Sequence, residues 1–120
     1  MVCAGTESDR AGALIGGELH APDLILAEIA NALWKKVRRG EIETAQSEPV
    51  LSLLRTTLLL QPSAPLAEPA LEVALELGHP VCDCFFLVLA RELDVQLVTA
   101  DARLIGRCRG TGLARLVRPL

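Results

Sequence analysis

The sequence predicts an α/β fold in a single domain that spans all 120 residues. Helical and extended segments alternate with short connections, a pattern typical of a parallel sheet. Hydrophobic residues make up 51% of the chain, yet it has no Tyr, two Phe and one Trp. A core of Leu, Val, Ala and Ile suits helices packed on a buried parallel sheet.

The elements follow from apolar periodicity and from residues that begin or end helices. Pro22 suits the first position of a helix that Gly40 ends, and Gly78 ends a later one. Pro49 is expected to interrupt a helical stretch, so that two short helices follow in series. The predicted helices cover residues 9–15, 22–39, 41–57, 66–77, a segment starting at 79–80, and 102–109; the predicted strands cover 19–21, 58–60, 95–98 and 113–117.

Composition excludes some functions. A net charge of −3 argues against long-range steering of a polyanion by the whole molecule. The scarcity of aromatic residues argues against single-stranded nucleic acid held by base stacking. Two basic segments stand out, residues 35–39 and residues 101–120, and the second has five arginines but a single acid. They are either solvated faces or basic rims beside an acidic pocket.

The four cysteines lack C-x-x-C spacing, which favours free or buried thiols over a zinc site. Apolar runs fall short of the roughly 18 residues that span a bilayer. We therefore expect a cytoplasmic protein with no membrane association.

Three acidic residues are the candidates for a metal-binding site. Glu28 lies in the first turn of one predicted helix, Asp83 opens another, and Asp101 follows a strand. Each alone has an ordinary explanation in the helix dipole or an N-cap. Glu28 and Asp83, however, interrupt apolar runs, where an uncompensated charge is costly. Helix starts and strand ends meet at a crevice in α/β sheets, so we expect the three carboxylates to share a divalent cation.

Three stretches with this order and spacing resemble the PIN-domain ribonucleases, particularly the toxins of VapBC toxin–antitoxin pairs. They are residues 21–34, 79–90 and 97–104, and the resemblance extends from about residue 8 to the C-terminus. It implies an α/β/α sandwich that binds Mg²⁺ or Mn²⁺ and hydrolyses RNA. It also implies an antitoxin partner and a homodimer.

The resemblance assigns the metal-binding and catalytic carboxylates to Glu28, Asp83 and Asp101. Thr99 would lie beside the pocket and orient a carboxylate or a water, and Asn31 would line the same helix face one turn after Glu28. Hard cations take carboxylate oxygens, polarise a phosphate and lower the pKa of a bound water.

One departure from the family pattern concerns the first strand. The family has a central strand that ends in a fourth acid, whereas residues 1–7 are too short and too small to form that strand and its loop. We therefore predict a truncated first strand, with the gap filled by sequence upstream of Met1 or by another chain. The fourth acid is missing.

Alternatives remain at this point. A chain lacking one acid could be a PIN-fold binding subunit without catalysis. A generic doubly wound domain that binds a small ligand is the third interpretation, but the sequence has no Gly-rich phosphate loop or nucleophile–histidine set to support it. His20 and His79 are interpreted as isolated, with His79 a turn residue beside Pro80. Trp34 is predicted to lie on a different helix face from Ile29 and Leu33, where it would serve association; the alternative is a tryptophan buried in the core of its own chain, which would exclude that role.

Overall fold

A computed structural model describes residues 1–4 and 18–120 of the chain. The predicted helix at residues 9–15 lies outside these ranges. Strands and helices follow in the order β1 Val2–Ala4, β2 Leu19–Pro22, α1 Ile25–Arg38, α2 Thr44–Thr57, β3 Leu59–Gln61, α3 Ala67–Leu77, α4 Val81–Leu93, β4 Gln96–Thr99, α5 Ala102–Cys108 and β5 Val117–Pro119. Short 3-10 turns at Ala64–Leu66 and Ala114–Leu116 precede α3 and β5.

The strands form one sheet in the order β3-β2-β1-β4-β5. The β2–β3 and β4–β5 pairs are parallel, and β1 is antiparallel to both of its neighbours. Because β1 opposes β2 and β4 alike, the other four strands all run in the same direction. Their carboxyl ends therefore lie at one edge of the sheet, as the predicted α/β/α architecture requires.

The central strand β1 corrects one detail of the sequence prediction. It is short, as predicted, but Val2–Ala4 does fill the central position. Cys3 is fully buried opposite His20 and Leu97, and its thiol donates to the Phe86 carbonyl at 3.5 Å. In this antiparallel orientation, the three residues of β1 pair with the edges of β2 and β4, which would otherwise be unpaired.

Helix α1 begins later than predicted. Pro22 is the last residue of β2 and pairs with Gln61, while the Asp23 amide donates to the Gln61 carbonyl at 2.7 Å. The sheet thus holds the segment that was predicted to start the helix, and the helix begins at Ile25.

Helix α2 is continuous through Pro49, so the predicted pair of helices is one helix. Pro49 has no backbone N–H and cannot donate the usual helix hydrogen bond. Because Pro49 is exposed, the carbonyl left without that bond can be hydrated, and the helix tolerates the loss. Strand β4 starts one residue later than predicted, at Gln96, and two further strands are displaced along the chain. The first is β3, whose Leu59 is 44% exposed at the sheet edge, and the second is β5, which starts at Val117 because residues 114–116 form a 3-10 turn.

The core forms around α4, which packs against α3, β1, β2 and β4. Leu87, Val88 and Ala90 on this helix are fully buried. The preceding helix α3 faces it with a stripe at helical spacing, namely Ala70, Val73, Ala74 and Leu77. In the described ranges no single helix is long and apolar enough to cross a membrane; only residues 64–77 and 81–93 taken together, with a 112° bend between them, meet that length and composition.

The α1–α2 pair leaves an apolar groove at the surface. On α1, Ile25 is buried and Ile29 packs at the margin of the core, whereas Leu33 and Val37 line the groove with residues of α2. Trp34 is 55% exposed beside the groove. Because Trp34 is not buried in its own chain, the association role stays open, although Leu33, predicted on another helix face, lines the same groove.

Candidate metal centre

The start of α4 is held by the end of α3 and by α5. Gly78 ends α3 in the left-handed conformation, with φ of 64°, which glycine adopts without steric cost. Arg107 from α5 donates to the Leu77 and Gly78 carbonyls at 3.3 and 2.6 Å. The His79 amide donates back to the Ala74 carbonyl at 3.2 Å. The backbone that leads into the first turn of α4 is therefore fixed on both sides.

Asp83 lies in the first turn of α4 and is half-buried. Its Oδ2 atom is 2.8 Å from Nε2 of His79, which is buried. A carboxylate in the first turn of a helix is stabilised by the helix dipole. The imidazole adds a second, directional interaction that holds this side chain in place.

Asp101 is the N-cap of α5, directly after β4. Its Oδ1 atom accepts hydrogen bonds from the Arg103 and Leu104 amides at 3.0 and 3.2 Å. Thr99 is buried, and its hydroxyl accepts the Asp101 amide at 3.0 Å. The strand end thus shapes the turn that presents Asp101, because a threonine hydroxyl at this spacing stabilises a local turn.

The two aspartates come together with His79. One donor atom from each of His79, Asp83 and Asp101 can be chosen so that all three lie within 4.8 Å of one another. This places Asp83 and Asp101 at the crevice predicted for them, between the carboxyl end of β4 and the start of α4. The predicted pairing of these two carboxylates agrees with this geometry.

Glu28 lies outside that three-residue group, on the exposed side of α1. Partial burial and the negative charge of Asp83 both raise the pKa of its carboxyl group above the ordinary value. The effect of Asp83 indicates that the two carboxylates share one electrostatic environment. Asn31, one turn further along α1, is exposed, and its role in the pocket stays a prediction.

Comparison with known proteins identifies the family. The family model of the PIN domain matches residues 5–109. The chain belongs to the PIN-domain family. This PIN domain is 33% identical over 90 residues to Ribonuclease VapC3 of Pyrobaculum aerophilum, a match that covers 72% of this chain and 69% of the relative.

Two further relatives come from the same organism. Exonuclease VapC9 is 31% identical over 87 residues, and the match covers 72% of this chain and 65% of that protein. The crystal structure of PAE2754 superposes with a TM-score of 0.64 at 28% identity, covering 79% of this chain and 73% of the other. The predicted PIN-like α/β/α architecture and the resemblance to VapC proteins are thereby confirmed.

Sequence reasoning missed His79 in this PIN domain. It was interpreted as a turn residue, but the structure buries its ring against Asp83. The signal was the spacing: His79 precedes Asp83 by four residues, the separation at which side chains meet along a helix. Because His79 lies before the first residue of α4, helix periodicity did not include it.

The donor chemistry fits a divalent cation. Two half-buried carboxylates lie close together, and their mutual repulsion would be relieved by a positive charge between them. Carboxylate oxygens suit Mg²⁺ and Mn²⁺. Asp83 and Asp101 are therefore the residues best suited to hold such an ion, with Glu28 at the margin.

Proposed function

We propose that this PIN domain is a metal-dependent endoribonuclease of the VapC type. The observation that supports it most is the approach of Asp83 and Asp101 at the crevice between β4 and α4. The relatives named as a ribonuclease and an exonuclease support nuclease chemistry at this site. In the proposal, Asp83, Asp101 and Glu28 bind Mg²⁺ or Mn²⁺, Glu28 either directly or through a water.

Held by Asp83 and Asp101, such a cation would supply Lewis-acid chemistry, polarising a phosphodiester and lowering the pKa of a water that could attack it. The chain provides the rest. Asp83 in α4 and Asp101 after β4 present carboxylate oxygens from two elements that pack against each other, and the Thr99 hydroxyl accepts the Asp101 amide and stabilises the turn. Arg103 is exposed two residues after Asp101, and its guanidinium is suited to contact a phosphate of the substrate. RNA would then be bound through its backbone, since aromatic stacking groups are scarce.

A second function is favoured by the small number of acids that the described residues, 1–4 and 18–120, bring together. The donor group within 4.8 Å contains two carboxylates and one imidazole, and β1 carries no acid. A PIN-fold binding subunit without catalysis would have the same fold and an electrostatically weaker site. The two functions differ in whether RNA is cleaved when Mn²⁺ is present.

RNA cleavage tests the proposal directly. Purified protein should cut a covalently closed circular RNA when Mn²⁺ or Mg²⁺ is added and stop when a chelator is added. A circle has no ends, so only an endonuclease opens it. Asp83→Asn should abolish cleavage while the protein stays folded. Asp94→Asn is the matched control, because Asp94 is exposed at the end of α4 in the left-handed conformation, which asparagine also tolerates.

Cleavage of linear but not circular RNA would contradict the proposed endonuclease activity and indicate an exonuclease. No cleavage of either substrate by a folded protein that binds Mn²⁺ would favour the binding subunit. Cleavage that persists in a chelator or in Asp83→Asn would contradict the proposed site.

The proposed partner is an antitoxin segment that binds the α1–α2 groove. This groove encloses about 380 Å³ and is lined largely by apolar residues, with Trp34 and Leu33 on one side and Leu51 on the other. The Arg38 guanidinium lies 4.9 Å from the centroid of the Trp34 ring, and Lys35 and Arg39 lie next to it. An apolar groove with a cationic margin suits an amphipathic helix that carries acidic residues.

Partner binding is measured by the fluorescence of Trp34, the single tryptophan. A VapB-type antitoxin should shift its emission to shorter wavelength, and Trp34→Ala should weaken binding without a large loss of stability, since the ring is mostly exposed. The proposed homodimer is tested separately by sedimentation of the protein alone. Leu71 and Leu75 on α3 are 53% and 76% exposed and offer an apolar surface for it.

A further inference from the structure

His79 is a buried polar side chain whose bonds are unequal. Its side chain is only 3% exposed, whereas that of Asp83 is 26% exposed. Nε2 lies 2.8 Å from Asp83 Oδ2, but Nδ1 is buried without a hydrogen-bond partner among the described residues. A buried polar atom without a partner is uncommon and calls for an explanation.

The positions of the two nitrogens indicate where the proton lies. With the proton on Nε2, the ring donates to Asp83 and leaves only a lone pair unpaired at Nδ1. With the proton on Nδ1, a buried N–H would have no acceptor, and two lone pairs would face each other across 2.8 Å. Unpaired buried N–H groups are rarer than unpaired acceptors, so the first arrangement is favoured.

The two aspartates share one pattern of bonding. Asp83 uses Oδ2 toward His79, and Asp101 uses Oδ1 toward the Arg103 and Leu104 amides. In the part of the chain that the structure describes, Asp83 Oδ1 and Asp101 Oδ2 have no hydrogen-bond partner. Each carboxylate is therefore held by one oxygen and leaves the other available.

We propose that His79 is a positioning residue for the cation site: its Nε2–H holds Asp83 Oδ2 from the core side and leaves Oδ1 to bind the ion. This inference rests on the proposed function, because it assumes that Asp83 binds a cation. It assigns the imidazole a role beside the ion instead of a bond to it. Groups that orient metal ligands in this way commonly change metal affinity about 10- to 100-fold when they are removed.

The backbone around His79 is suited to this role. Arg107 donates to the Gly78 carbonyl at 2.6 Å, and the His79 amide donates to Ala74. Pro80 follows with its φ restricted by the ring, at −54°. A side chain that projects from a segment held on both sides can fix the orientation of a neighbouring carboxylate.

The test compares His79→Leu, which removes the N–H, with His79→Gln, whose amide nitrogen can reach a position similar to that of Nε2. Mn²⁺ binding to the metal-free protein is measured by calorimetric titration. We expect His79→Leu to weaken Mn²⁺ binding roughly 10- to 100-fold and His79→Gln to recover most of that loss. Pulsed electron paramagnetic resonance of Mn²⁺-loaded wild type should show no nitrogen bound to the ion.

Several results would overturn the inference. A directly bound nitrogen in the wild-type spectrum would make His79 a ligand, and this measurement holds even if His79→Leu does not fold. Unchanged affinity in His79→Leu, or no recovery in a folded His79→Gln, would remove the positioning role while leaving the proposed function intact. Wild type that binds no Mn²⁺ would contradict the proposed function itself.

Discussion

Asp101 combines two roles at the scale of a single residue. One carboxylate oxygen caps α5 through two amides, and the carboxylate also belongs to the candidate metal site. A charge that the helix start stabilises is less costly to keep near a second carboxylate. Structure and proposed chemistry therefore depend on the same side chain, and substitutions can separate them.

Asp101→Asn and Asp101→Ala should differ in stability but not in activity. Asparagine caps helices about as well as aspartate, while alanine loses roughly 1 kcal/mol of capping energy. Both should abolish metal-dependent RNA cleavage, because neither carries the negative charge. Thermal unfolding and cleavage assays on the two variants check this. Full activity in the asparagine variant would limit Asp101 to capping.

Glu28 should make the stability of the metal-free protein depend on pH. Its pKa is raised above about 4.5 by partial burial and by Asp83. Folding therefore favours the protonated form. Its contribution to stability is complete below the ordinary pKa and is lost as pH rises through the raised value.

Glu28→Gln removes this dependence. At pH 7 without metal the variant should be slightly more stable than wild type, and the difference should vanish below about pH 4.5. The effect is small because Glu28 is exposed. Thermal unfolding across this range measures it, with Glu76→Gln on an exposed position of α3 as the control for net charge. A wild type more stable than Glu28→Gln at pH 7 would contradict the inferred direction.

At the scale of elements, predictions that depend on neighbouring residues were confirmed at Gly78 and Asp83, whereas those that distant strand pairing or solvent exposure decides were wrong. Gly78 ended its helix as predicted, and Asp83 fell in a helix first turn as predicted, because both depend on neighbouring residues. Pro22 was wrongly given to a helix, since pairing with Gln61 in β3 decides its conformation. The predicted break at Pro49 was wrong, because an exposed helix tolerates the loss of one backbone hydrogen bond.

Helix α1, which carries Glu28, takes its cap from another part of the chain. The Leu24 amide donates to the Ser63 hydroxyl at 3.0 Å, and the Ser63 amide donates to Asp23 Oδ1 at 3.1 Å. These two bonds join the start of α1 to the loop after β3. No local pattern in residues 22–28 indicates them, which is why the start of this helix was misplaced.

Ser63→Ala should destabilise the protein by about 1 kcal/mol, because the Leu24 amide loses its partner. In a domain of this size that lowers the melting temperature by roughly 4 °C. Ser52→Ala, exposed on α2, is the matched control and should not destabilise, since alanine is the better helix former. An equal effect in the two variants would show that the Ser63 bond does not stabilise α1.

At the scale of the whole molecule, β1 holds the two halves of the sheet together. It lies between β2 and β4, and its Cys3 is fully buried. Three residues carry too little pattern for the sequence to predict a strand. Their position follows from the facing edges of β2 and β4, which only the folded chain brings together.

Deleting residues 1–4 should destabilise the fold strongly, because the facing edges of β2 and β4 would lose all their pairing through β1. We expect a lower melting temperature and a tendency to aggregate, measured by thermal unfolding and light scattering. Deleting Met1 alone, which leaves Val2–Ala4 in place, is the control. Equal stability of the two shortened chains would mean that β1 contributes little.

The central claim is that Asp83 and Asp101 bind one catalytic cation at the sheet edge. Anomalous X-ray diffraction from crystals soaked in Mn²⁺ tests it most directly. We predict one strong peak at bonding distance from an oxygen of each aspartate, with Glu28 bound directly or through a water, and no such peak in Asp83→Asn crystals. A peak that contacts neither aspartate would contradict the claim. So would the lack of any manganese peak at the two aspartates in crystals of a protein that cleaves RNA with Mn²⁺.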